Sequence, residues 1–177
     1  MRIFILLIIT IVFVGCTPQQ ETIDFQQVLE DAQPRANQGK SLSEDTLLVQ
    51  ALEHYQKMEP RDTTKLHQAT ILAAYHYWWK GDKSKAYDLL EGIADTDKNA
   101  LNALFDLGNR DSNFETCYEC LKRIMKDGSG NNFWYQHAWA TLHFYLNQPE
   151  ECERLFDNLP QYLQTPEDSA QYWRQAL

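Results

Sequence analysis

The chain has 177 residues, of which 44% are apolar and 12% aromatic, and its formal net charge is −9. This much apolar surface is enough for a folded core, so the composition excludes a disordered tail. The acidic balance would repel phosphates and therefore argues against a nucleic-acid partner.

The first residues predict export and lipidation. After Arg2, residues 3–14 are apolar apart from Thr10. That run is shorter than the ~20 residues of a membrane-spanning helix but has the length of a signal-peptide core. It ends in Gly15-Cys16 and then turns polar, which resembles the lipobox of bacterial lipoproteins. A plain signal peptide with an incidental cysteine, or a retained anchor, is the alternative.

The lipobox resemblance implies cleavage after Gly15 and a lipid on Cys16. The expected divisions are a signal peptide over residues 1–15, a lipidated tether over residues 16–22, and one folded domain over residues 23–177. The mature protein would be attached to the membrane through its lipid, without a spanning helix.

The remaining sequence predicts one helix after another, because glycine is scarce and no stretch alternates apolar and polar residues with period two. Gly81, Gly108 and Gly128 are expected at helix ends. Residues 33–43 predict a loop that includes Pro34. The predicted helices cover residues 23–32, 44–57, 65–79, 83–94, 97–107, 113–126, 132–146, 149–158 and 166–177.

A pattern of small and apolar residues recurs three times, with a small residue early in the second helix at Ala86, Cys117 and Cys152. These positions are 31 and 35 residues apart. The pattern, fullest over residues 73–93, resembles the tetratricopeptide repeat (TPR), whose period is about 34 residues. The resemblance implies an all-α fold in which antiparallel helix pairs stack as a short right-handed superhelix.

A second resemblance rests on Asp31-Ala32-Gln33, on the stretch from Ser43 to Tyr55, and on Gly81-Asp82. These segments are similar to TPR lipoproteins of Bacteroidota-type bacteria. In many of those proteins a membrane helix and a DNA-binding or signalling domain follow the repeats. Neither element follows the repeats in this sequence, so we expect either a short stand-alone relative or a truncated one.

Cys117-x-x-Cys120 is the motif that most suggests chemistry. Its spacing fits a redox pair or half of a zinc site, but no strand is predicted before it and no histidine lies close to it in sequence. Small core residues are the expected role, and a bridge from Cys152 to Cys117 or to Cys120 is a further possibility in an oxidising compartment. We expect no catalytic residue, metal or cofactor.

The TPR resemblance implies that the first helix of each pair lines a concave groove that receives peptides. Aromatic side chains with amides between them suit an extended peptide, because an amide can both donate and accept hydrogen bonds. The alternative is that the aromatics are ordinary core and the amides a solvated face. The predicted groove residues are Tyr75, Trp78, Asn99, Asn102, Asp106, Trp134, His137 and Phe144.

The expected function is that of a non-enzymatic, membrane-tethered adaptor or scaffold that binds a protein or peptide partner. Thr17 after Cys16 resembles the signal for outer-membrane sorting, with the domain facing the periplasm. One alternative is an assembly or pilotin-type helper for outer-membrane protein or pilus biogenesis. Another is a helical metal- or redox-active protein that uses Cys117 and Cys120. The fold class alone does not identify the partner.

Overall fold

The computed structural model describes residues 23–126, 128 and 130–175. The predicted signal peptide (residues 1–15), Cys16 and the tether (residues 16–22) lie outside the described residues. Within those ranges the protein is all-α and contains no strand, which confirms the predicted class. The helices are α1 (Phe25–Asn37), α2 (Leu47–Lys57), α3 (Thr63–Trp79), α4 (Lys83–Glu91), α5 (Lys98–Arg110), α6 (Phe114–Lys126), α7 (Phe133–Tyr145), α8 (Pro149–Asn158), a 3-10 helix (Leu159–Tyr162) and α9 (Pro166–Gln175).

Successive helices from α1 to α8 pack side by side, and α3 also contacts α1 and α5. Most of the buried apolar residues form one cluster among α1, α2 and α3 and a second cluster that extends from α3 to α7. Tyr75 and Leu89 pack against both clusters. No helix in the described ranges has the length and apolar character needed to cross a bilayer.

The same turn joins α3 to α4, α5 to α6, and α7 to α8. Each connection has three residues, and the middle one has a positive φ: +90° at Gly81, +56° at Ser112 and +57° at Asn147. The third residue donates its backbone N–H to the carbonyl five positions earlier, at 2.8 or 2.9 Å in all three turns. This is the Schellman arrangement, which satisfies carbonyls that the end of a helix would leave unpaired.

A small buried side chain lies five residues after the left-handed residue of each turn. Ala86 and Cys117 are fully buried, and Cys152 is 8% exposed. At the second turn, a Cβ added to Gly108 would lie 3.0 Å from the Cys117 Sγ, because α5 and α6 approach closely there. Gly108 lies within α5, so the prediction that it ends a helix is wrong. The residue with a positive φ after α5 is Ser112, whereas Gly81 and Gly128 follow helix ends as predicted.

The predicted loop over residues 33–43 is wrong in its first half, because α1 continues through Pro34 to Asn37. Proline removes one helical hydrogen bond, but its ring is exposed here. The buried stripe of α1 crosses it, with Leu29, Ala32 and Ala36 all packed in the first core cluster. Burial of this stripe outweighs the local cost of the proline.

Replacement of Cys117 by leucine should lower the free energy of unfolding by about 1–3 kcal/mol, because the added atoms overpack the contact with Gly108. Cys117→Ala should cost less, and Glu119→Leu on the exposed face of α6 is the matched control. Urea unfolding followed by circular dichroism measures all three. Equal stability of the leucine and alanine variants at position 117 would show that α5 and α6 are not closely packed there.

Candidate binding groove

An open groove of about 720 Å³ lies between the end of α1, the first three turns of α3 and the start of α5. Most of its lining residues are polar and uncharged. Five carboxamide side chains contribute to it: Gln33, Asn37, Gln68, Asn99 and Asn102. Three threonine side chains also contribute: Thr63, Thr64 and Thr96. The remaining lining residues are His67, Ile71, Tyr75, Asp97 and Ala103.

Three of the carboxamides are linked across α1 and α3. The Gln68 Nε2 donates to the Gln33 Oε1 at 3.4 Å, and the Gln33 Nε2 donates to the Asn37 Oδ1 at 3.0 Å. Each carboxamide has both donor and acceptor capacity, so the chain leaves an acceptor oxygen on Gln68 and a donor nitrogen on Asn37. The two ends of this chain can therefore pair with both groups of a peptide unit.

His67 and Asp97 form a second polar element in the groove. The His67 Nδ1 lies 3.0 Å from the Asp97 Oδ2, and both side chains are 16% exposed. The other carboxylate oxygen of Asp97 accepts the backbone N–H of Asn99 at 2.8 Å and so caps the start of α5. One carboxylate thus orients the imidazole and begins the helix that carries Asn99 and Asn102.

Two side chains connect the groove to the next helices. The Tyr75 hydroxyl donates to the Asp106 Oδ2 at 3.1 Å, and burial together with this carboxylate raises the pKa of Tyr75. Asp106 also accepts from the Arg110 Nε at 2.9 Å. The Asn102 Oδ1 accepts the Tyr135 hydroxyl at 2.9 Å, which links α5 to α7 and leaves the Asn102 nitrogen for a ligand.

The structure brings together three of the predicted groove residues, Tyr75, Asn99 and Asn102, as lining side chains. Asp106 adjoins them through its hydrogen bond with Tyr75. Trp78 does not line the groove, although it lies one turn beyond Tyr75 on the same face of α3.

Trp78 belongs instead to a junction around Asp111 at the end of α5. Asp111 accepts the Trp78 Nε1 at 3.1 Å, the Tyr87 hydroxyl at 3.0 Å and the Lys83 Nζ at 2.6 Å. Burial acts to raise the pKa of the Asp111 carboxyl, but these hydrogen bonds outweigh it and hold that pKa below its ordinary value. The indole therefore joins α3 to α5.

The three predicted residues on α7 also lie outside the groove. Trp134 and Phe144 are 54% and 64% exposed, and the His137 ring is half-buried beside Phe133 and Phe156. Trp139 behaves as the packing residue of this helix, since its ring stacks on Tyr118 at 4.7 Å. Trp134 and Phe144 form a separate exposed aromatic surface.

Sequence reasoning missed the α1 and early α3 parts of the groove. Gln33 and Asn37 were missed because residues 33–37 were predicted to be a loop. His67 had a usable signal, because it precedes Ile71 and Tyr75 at helical spacing of four residues and so shares their face. Asp97 was recognisable only as a residue at the start of a helix.

The cysteine chemistry considered from the sequence finds little support in the geometry. Cys117, Cys120 and Cys152 are free buried thiols, so the bridge from Cys152 to Cys117 or Cys120 that the sequence left possible is not formed. Burial raises the pKa of Cys117 to about 11 and that of Cys120 to about 12, which favours the unreactive thiol over the thiolate. Within the described ranges, no three His, Cys, Asp or Glu side chains are grouped to hold a metal ion.

No protein-family model, no curated protein and no solved structure matches the chain.

Tryptophan variants should separate the packed aromatics from the exposed ones. Trp139→Ala should lower the free energy of unfolding by on the order of 3 kcal/mol, because a packed aromatic is lost. Trp78→Ala should also destabilise, since it removes packing and one donor to Asp111. Trp134→Ala should stay within about 0.5 kcal/mol of the unmodified protein. Urea unfolding tests the order, and a large loss for Trp134→Ala would contradict its exposed position.

Proposed function

We propose that the protein is a membrane-tethered lipoprotein whose helical-repeat domain binds an extended segment of a protein or peptide partner in the cell envelope. The observation that carries the proposal is the groove between α1, α3 and α5, with five carboxamides along its walls. An extended segment presents unpaired N–H and C=O groups along its length, and carboxamides can pair with both.

The repeated turn supports the TPR-like part of the proposal. The left-handed residues Gly81, Ser112 and Asn147 are 31 and 35 residues apart, the same spacing as the small buried residues that follow them. Two independent features with one period are expected of repeated helix pairs. We infer antiparallel pairs in a short right-handed superhelix, in which α1, α3 and α5 are first helices that share the concave side.

The lipoprotein part of the proposal rests on the apolar run, Gly15 and Cys16 of the sequence. A lipid on Cys16 would leave only a short tether before α1 begins at Phe25. The domain would then stay close to the membrane surface, on the periplasmic side of the outer membrane. Its role there would be to concentrate a partner at that surface, as an adaptor or scaffold does.

Cys16→Ser should abolish both lipid attachment and signal-peptide cleavage. Cells that express this variant and are supplied with labelled fatty acid should accumulate an unlabelled precursor of higher mass. Cys152→Ser is the matched control, because it removes a buried thiol of the folded domain, and it should be labelled and processed normally. Normal labelling of Cys16→Ser would disprove the lipoprotein proposal.

Leucine in place of Asn99 or Gln68 should weaken partner recovery at least about fivefold, because it leaves a peptide group of the partner without its hydrogen bond. Gln50→Leu is the matched control, since this carboxamide lies on the exposed face of α2 away from the groove. Cell-envelope crosslinking followed by affinity recovery measures the yield, and unfolding curves check that all variants are folded.

A photo-reactive residue at position 99 would show where the partner lies, with position 119 on α6 as the reference site. A partner adduct that forms at position 119 and not at position 99 would place the partner on another surface and contradict the groove proposal.

A further inference from the structure

We propose that the groove selects a partner segment without charged side chains, and that at His67 the segment presents a hydrogen-bond donor such as a hydroxyl or an amide. This inference rests on the proposed function and adds to it the chemical class of the ligand. It follows from three features of the groove: its lack of free charge, the orientation of one histidine, and the arrangement of the carboxamides.

The groove is nearly free of charge in an otherwise charged protein. Of the whole chain, 23% is Asp, Glu, Lys or Arg, yet among the thirteen lining residues Asp97 is the one member of that group. The neighbouring charges of Asp106 and Arg110 are paired with each other at 2.9 Å. An acidic ligand side chain would lose hydration here without gaining a counter-charge, which is costly, and a basic one would meet only the largely buried carboxylate of Asp97.

The carboxylate of Asp97 is already engaged by groups of the protein. One oxygen accepts the backbone N–H of Asn99, and the other lies 3.0 Å from the His67 Nδ1. The charge also lies at the start of α5, where the helix dipole stabilises it. A lysine or arginine of the partner would compete with both groups for a carboxylate whose side chain is only 16% exposed.

His67 adds a directional preference to this neutral lining. The Asp97 carboxylate lies 3.0 Å from Nδ1, and in a neutral imidazole this contact favours the tautomer that carries its proton on Nδ1 and donates it to Asp97. The Nε2 atom is then an acceptor, and it has no hydrogen-bond partner among the residues described. Because the ring borders the groove, Nε2 favours a ligand donor and disfavours a carboxylate, which can only accept.

The carboxamides complete the specificity. Gln68 and Asn37 mark the ends of the linked chain on the α1–α3 side, and Asn99 and Asn102 face them from α5. Between these walls, Ile71 and Ala103 provide apolar contact. The wall groups can read the peptide main chain, so the side chains of the segment need only be uncharged and carry one donor at His67. Specificity of this kind excludes charged competitors and does not require tighter binding of one particular sequence.

The test is selection of binders from a displayed library of random linear peptides against the full chain, solubilised in detergent. Only peptides that lose binding to Gln68→Leu but keep it to Gln50→Leu are counted as groove ligands. Their shared core should lack Asp, Glu, Lys and Arg and should contain Ser, Thr, Asn or Gln at one position. Introduction of a single Asp or Lys into that core should weaken binding at least about tenfold in titrations with synthetic peptides.

A second measurement isolates His67. Asp97→Asn keeps a residue that caps helices well but no longer fixes the proton on Nδ1. The asparagine amide can donate to Nδ1 instead, which makes Nε2 a donor. Selection against this variant should therefore replace the donor residue of the core by an acceptor, including Asp or Glu. An unchanged preference in Asp97→Asn would overturn the role of His67.

The outcomes separate the inference from the function on which it rests. Groove ligands with a charged core would overturn the neutral-segment inference while the proposed binding function stands. If selection yields no peptide that depends on Gln68, the groove does not bind extended peptides, and both proposals fail.

Discussion

The close approach of paired helices is the constraint on which the rest of this structure depends. In each of three helix pairs, a left-handed turn residue reverses the chain and a small buried residue follows five positions later. The turn satisfies backbone carbonyls, and the small residue allows the second helix to lie close against the first. The contact between Gly108 and Cys117 illustrates this closeness, because a Cβ on Gly108 would lie 3.0 Å from the Cys117 Sγ and the neighbouring side chain would have to shift.

Regular pairing brings α1, α3 and α5 together along one side, and the groove lies between them. Its polar side chains are held in place by hydrogen bonds to one another as well as by the helices that carry them. Asp97 shows this most clearly, since the same carboxylate caps α5 and orients His67. These hydrogen bonds fix the directions of several donors and acceptors in the groove, and for the proposed ligand such preorganisation would reduce the entropy lost on binding.

The sequence predicted the helices well and the groove only in part, and one residue explains much of the difference. Pro34 is a strong local signal for the end of a helix, so residues 33–37 were interpreted as a loop and Gln33 and Asn37 were overlooked. The structure continues α1 because Ala36 is buried against the core, a contact with residues far away in sequence. Helical spacing was enough to place Ile71 with Tyr75 on one face of α3 and Asn99 with Asn102 on one face of α5, and the TPR resemblance predicted that these two faces share a groove.

By itself, the sequence determined the all-α class, most of the helix positions and the spacing of the small residues, because those depend on local hydrogen bonding and on apolar spacing along the chain. Only the tertiary structure decided which polar side chains meet. It joined Trp78 to Asp111, left Trp134 exposed, and placed His67 against Asp97 thirty residues later. Such contacts depend on how neighbouring helices are offset and rotated, and no local pattern in the sequence records that geometry.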